Sequence, residues 1–118
     1  MVSVLIVDDD PDIVTLFEEF LGLRGHTILG KASDGKEAIE LLHSFSPVPD
    51  VIFMDHRMPR MTGLEASKEI IKEYPECKII FISADLNVKD LALESGAHAF
   101  LVKPISFKNI LALLDGIE

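Results

Sequence analysis

Val4-Leu5-Ile6-Val7-Asp8-Asp9-Asp10-Pro11 reads as a buried strand that stops at two carboxylates and hands over to a helix. Four apolar β-formers in a row leave no polar face, which suits a central strand of a parallel sheet covered on both sides. Asp10 before Pro11 has the form of a helix N-cap with proline at the first helical position, where a missing N–H costs nothing. Asp8 and Asp9 therefore fall at the carboxyl end of a strand, the edge where open α/β sheets place their ligand sites.

The same pattern recurs along the chain. Residues 27–32, 51–54, 79–82 and 99–102 are further strand-length apolar runs, and segments of helical period separate them. This alternation predicts repeated βα units. Right-handed crossovers would build a doubly wound, five-stranded parallel α/β sheet in the order 2-1-3-4-5, with its ligand crevice between the first and third strands. The second run carries Gly30 and Lys31 and is the least apolar, so it belongs at an edge.

Helix punctuation agrees with this reading. The first helix is expected to bury Ile13, Leu16, Phe17, Phe20 and Leu21 and to end at Gly22 or Gly25. Asp34 with Glu37, and Thr62 with Glu65, have capping-box spacing. The helices they open would face Ala38, Ile39 and Leu42, and Ile70 and Ile71, inward, before Pro47 and Pro75 stop them. A fourth helix is expected over 87–95 with Gly96 as its stop, and a fifth from Ser106 with Ile110, Leu111 and Leu114 inward.

The strand ends then collect Asp8, Asp9, Asp55, Ser83 and Lys103 at one edge. Three carboxylates can hold a Mg²⁺ ion, which prefers oxygen ligands. A carboxylate can also accept a phosphoryl group as an acyl phosphate if a metal and a cation neutralise the transferring oxygens, and Lys103 is the available cation. Ser83 could donate a hydrogen bond to that phosphate.

Composition narrows the field. At 118 residues and 48% hydrophobic content the chain fits one domain, 1–118, with a single packed core. Twenty acidic against 11 basic residues give a net charge of −9, which disfavours direct nucleic-acid binding. Cys77 has no internal disulfide partner, and the first residues lack the basic flank and long apolar stretch of a signal peptide. The apolar runs fall far short of a membrane span, so a cytoplasmic location and no membrane partner are expected. His26, His43, His56 and His98 show no metal-ligand spacing.

VDDD at 7–10, MDHRMP at 54–59, ISA at 82–84 and VKP at 102–104 together resemble the receiver domains of two-component response regulators, over essentially the whole chain. The resemblance implies a flavodoxin-like fold and a signalling phosphoacceptor rather than an enzyme with a separate substrate. Asp55 resembles the residue phosphorylated by a sensor histidine kinase or phosphotransfer protein. Asp9, Asp55 and the backbone carbonyl of Arg57 resemble direct Mg²⁺ ligands, and Asp8 the acidic neighbour acting partly through water. Lys103 resembles the lysine that contacts the phosphoryl group, and the bond before Pro104 is cis in the family. Ser83 and Phe100 resemble the paired switch residues that reshape the surface of the fourth helix, fifth strand and fifth helix for an output protein. A monomer is expected before phosphorylation, and a dimer through that surface is the form phosphorylation could produce.

Arg57 and Asp85, each two residues past a site residue, are expected to form a salt bridge across the mouth. Other readings fit less well. A phosphohydrolase of another α/β family would carry Asp-x-Asp-x-Thr on the first strand, where this chain has Asp8-Asp9-Asp10-Pro11. A nucleotide or flavin module would need a Gly-rich loop after a strand, and none is present. A degenerate receiver that only binds partners would have no need of the complete set of acids, hydroxyl and lysine.

Overall fold

The computed structural model describes all 118 residues and turns the five apolar runs into five parallel strands. These are β1 (Ser3–Val7), β2 (Thr27–Ala32), β3 (Val51–Asp55), β4 (Lys78–Ser83) and β5 (Ala99–Val102). They lie in the expected order β2-β1-β3-β4-β5. Every residue of β3 is buried, and β1 and β4 are buried beyond their first residues, because helices cover both sheet faces. Edge strand β2 instead alternates exposed and partly exposed positions and bulges at Leu29, since Val4 pairs with Ile28 but Leu5 with Gly30.

The helices are α1 (Pro11–Leu23), α2 (Gly35–Ser44), α3 (Gly63–Glu73), α4 (Lys89–Glu94) and α5 (Phe107–Ile117). Strand period two sorts the core into two layers. Leu5, Val7, Ile52, Met54, Ile79 and Phe81 pack with Leu42, Ile70 and Ala92 on the side of α2, α3 and α4. Val4, Ile6, Phe53, Ile80 and Ile82 pack with Phe17, Leu21, Ile110 and Leu114 beneath α1 and α5. Each such large side chain contributes about 1.5–3 kcal/mol by leaving water. Phe17 lies 4.9 Å from Phe53, and Phe107 stacks 4.1 Å from Phe20, fastening α5 to α1. No helix is long and apolar enough to cross a membrane.

Some local expectations hold and others change. Gly25, not Gly22, ends α1: it adopts φ +84°, and the His26 and Gly25 N–H groups donate to the Leu21 and Gly22 carbonyls in a Schellman closure. Gly96 closes α4 in the same way at φ +109°. Leu16 is 49% exposed, because Val14, Phe17 and Leu21 define the buried stripe of α1. Leu111 is only partly buried and belongs to neither core layer; Leu113 and Ile117 pack there instead. The fourth helix is shorter than expected, since a 3-10 turn at Leu86–Val88 precedes the six residues of α4. Thr62 and Glu65 form a complete capping box, whereas Glu37 takes its side-chain bond from Ser33 and Asp34 caps α2 alone.

Candidate metal and phosphoryl site

Asp8 follows β1 directly and is 6% exposed. Its N–H donates to the Ala32 carbonyl at 3.0 Å, and its Oδ1 accepts the Asp10 N–H at 2.9 Å. Asp10 in turn accepts the Asp12 N–H at 3.0 Å, so the strand end is braced by a capped helix. Asp9 between them is exposed. Asp55, the last residue of neighbouring β3, is 6% exposed. One carboxylate oxygen each from Asp8, Asp9 and Asp55 lie within 4.8 Å of one another.

Lys103 follows β5 and reaches across the edge. Its Nζ lies 3.1 Å from Asp55 Oδ1 and 3.5 Å from Asp8 Oδ2. Its backbone N–H donates to the Ser83 carbonyl at 3.1 Å, and the Lys103–Pro104 bond is cis, as the resemblance implied. Burial, reinforced by the Asp8 charge and only partly offset by Lys103, pushes the Asp55 carboxyl up to about 6. Asp8 is raised as well, chiefly by burial. Burial alone would lower the Lys103 amine, but the Asp55 and Asp8 charges outweigh it and hold the amine above its ordinary value.

Ser83 ends β4 at 2% exposure. Its Oγ accepts the Asp85 N–H at 3.0 Å, which leaves the hydroxyl hydrogen to donate. Phe100 on β5 is partly buried, with its ring nearly parallel to Phe81 at 5.8 Å. The loop after Asp55 approaches the strand end so closely that a Cβ on Gly63 would stand 2.0 Å from the Asp55 carbonyl oxygen, and the Gly63 N–H donates to the His56 carbonyl at 2.8 Å. Arg57 Nη2 meets Asp85 Oδ2 at 3.2 Å, which is the bridge expected from the sequence. The Asn87 N–H and then the Arg57 guanidinium hold the Asp85 carboxyl below its ordinary range. His56 is partly buried with Nδ1 unpartnered, and burial holds its imidazole below the usual value.

The structure thus brings Asp8, Asp9, Asp55 and Lys103 together, sets Ser83 on the adjoining strand end, and turns the Arg57 side chain out to Asp85. Three carboxylates against one ammonium leave the cluster with an excess of negative charge. The donors are all oxygen and two of the acids are buried, a set that fits a hard divalent cation such as Mg²⁺ and lacks the nitrogen and sulfur ligands zinc prefers. Sequence reasoning missed Arg60, whose Nε donates to Asp34 Oδ2 at 2.7 Å; an exposed arginine two residues past Met58 carries no local signal of that partner.

A family model described as response regulator receiver domain matches residues 4–115. The chain is 34% identical over 117 residues to the chemotaxis protein CheY of Thermotoga maritima, covering 98% of this chain and 96% of that protein. Other relatives are longer, and the chain spans 54% of one and 30% of another. Among solved structures, a chain of the CheX-CheY-BeF3-Mg+2 complex from Borrelia burgdorferi superposes with a TM-score of 0.90 at 29% identity, over 98% of this chain and 87% of that one. The response regulator TrrA of Thermotoga maritima, in complex with Mg(2+)-BeF, gives 0.88 at 31% identity over the full length of both. With the strand order, the acidic edge and this match in agreement, the chain belongs to the response regulator receiver domains of two-component systems.

Proposed function

We propose that residues 1–118 act as one phosphoacceptor receiver in the cytoplasm, and that Asp55 takes a phosphoryl group from a sensor histidine kinase or a phosphotransfer protein. The observation that carries this reading is the buried Asp55 carboxylate with Lys103 Nζ at 3.1 Å. A carboxylate oxygen of Asp55 would form the bond to phosphorus as the donor's phosphorus–nitrogen bond breaks, with the departing imidazole taking its proton from solvent. Lys103 would hold the phosphoryl oxygens with a charge no solvent molecule can match. Asp9, Asp55 and the Arg57 carbonyl would hold Mg²⁺, with Asp8 assisting through water. When bound, the ion supplies neutralisation of charge on the transferring group.

Signal output would follow from Ser83 donating its free hydroxyl hydrogen to the new phosphate, drawing the β4–α4 loop toward the site while Phe100 repacks on Phe81. The surface that would respond carries exposed Leu86, Leu91, Leu93 and Val102, apolar area suited to an output protein or, after phosphorylation, a second copy. The donor would approach elsewhere. An apolar notch of about 260 Å³ opens beside Lys103, lined by Ile13, Leu16, Phe17, Pro104, Ile105 and Phe107.

Intact mass after incubation with Mg²⁺ and acetyl phosphate tests the chemistry. The expected result is a gain of one phosphoryl group in the wild type and none in Asp55→Ala or in the presence of chelator. A gain that persists in Asp55→Ala, or its absence from folded wild type that binds Mg²⁺, would defeat the proposal.

A further inference from the structure

The loop between β3 and α3 is not held by its own turns alone. Arg60 occupies the left-handed region at φ +64°, a conformation a non-glycine residue adopts at a cost. Its Nε donates to Asp34 Oδ2 at 2.7 Å. Asp34 is 3% exposed and is the N-cap of α2, its Oδ1 accepting the Glu37 N–H at 2.9 Å. One buried carboxylate therefore both starts α2 and grips the loop. The Arg60 hydrogen bond outweighs burial and holds the Asp34 carboxyl below its ordinary range.

A second tie runs beside the first. The Gly35 N–H donates to the Met61 carbonyl at 3.4 Å, and a Cβ on Gly35 would stand 2.7 Å from that of Ala66. The same segment reaches the other half of the site, since the Ala32 carbonyl accepts the Asp8 N–H at 3.0 Å. Residues 32–35 thus bridge two parts of the site, bonded to Asp8 at one end and to the loop that carries Arg57 at the other.

We infer that Asp34 and Arg60 are positioning residues for the cation site, forming a side-chain clasp across the β2–α2 and β3–α3 loops that fixes the Arg57 carbonyl relative to Asp9 and Asp55. The inference rests on the reading of that cluster as a Mg²⁺ site. Neither residue is among the proposed ligands of the ion. Without the clasp the loop samples further conformations, and cation binding has to order it, which reduces the observed affinity. The guanidinium is half exposed, so the effect is modest, about three- to fivefold in Mg²⁺ affinity.

Titration calorimetry of Mg²⁺ into the full chain, well below its unfolding temperature, tests this on Arg60→Gly, Asp34→Asn and the double variant. Arg60→Gly removes the side chain and relieves the left-handed backbone, while Asp34→Asn keeps an oxygen for the α2 cap and loses the charge. Each single variant is expected to weaken Mg²⁺ by about three- to fivefold, the double variant no further, because both remove one contact. Arg60→Lys should recover part of the loss. Single variants that bind like wild type overturn the clasp, as do losses that multiply in the double variant or that only follow falling unfolding midpoints. Wild type that takes up no Mg²⁺ while folded overturns the reading of the site, and the clasp with it.

Discussion

Arg57 divides between two places: its backbone lies in the loop after Asp55, and its guanidinium is turned away to Asp85 at 3.2 Å. The guanidinium is 79% exposed, so the bridge adds little to stability. We propose that its influence is positional: tying the loop after β3 to the loop after β4, it would screen a phosphorylated Asp55 from attacking water. Arg57→Ala should therefore shorten the life of the phosphorylated state by about two- to fivefold, since removing an exposed pair changes a barrier by no more than its own small energy. Mg²⁺ affinity should hold, because the proposed ligand is a carbonyl that the substitution keeps. Following the phosphorylated mass over time checks this, and an unchanged decay rate would show that the bridge gates nothing.

Element α1 contributes to the site at one end and lines an apolar notch along its flank. Leu16 is 49% exposed on that flank and lines the notch with Pro104 and Phe107. If the phosphodonor protein seats there, Leu16→Asp should slow phosphotransfer from a histidine kinase or phosphotransfer protein by tenfold or more, in line with losing an apolar anchor worth about 1.5–3 kcal/mol. Phosphorylation by acetyl phosphate should stay at the wild-type rate, since the small donor needs no notch; equal slowing of both donors would refute the docking role. Leu16 also shows where the sequence stops being informative. Apolar residues at helical spacing mark the buried stripe, but the flank of that stripe depends on how α5 seats, and Phe107 stacking on Phe20 fixes this through contacts 87 residues apart in the chain. Strand ends were legible because each apolar run stops at a polar residue whose position needs no partner to define it. The Asp34–Arg60 pair was not, because 26 residues separate its members and neither flank signals the other. Helix α4 and its Gly96 stop were legible but its start was not, as Asp85 caps a 3-10 turn by accepting the Asn87 N–H and the regular helix begins four residues later.

Across the whole molecule, 20 acidic residues face 11 basic ones, and three of the acids are gathered at the end of the sheet. Lys103 is the one ammonium bonded to the Asp8 and Asp55 carboxylates, and burial, reinforced by the Asp8 charge and only partly offset by Lys103, pushes the Asp55 carboxyl from an ordinary 3.8 up to about 6. A carboxyl raised on folding binds protons more tightly in the native state, so its contribution to stability is complete below pH 3.8 and is lost as the pH rises to about 6. Mg²⁺ acts in the opposite sense, because it binds the deprotonated acids and stabilises only the folded chain that gathers them. Thermal unfolding with and without saturating Mg²⁺ should therefore show a small increase in midpoint at about pH 5 and a clearly larger one at about pH 7.5. Asp55→Asn, which cannot ionise, should make the metal-free protein more stable than wild type at the higher pH and lose most of the Mg²⁺ increment. Equal increments at both pH values, or a metal-free Asp55→Asn protein no more stable than wild type, would mean that the acids at the sheet edge are relaxed without a cation and that the charge imbalance there does not store binding energy.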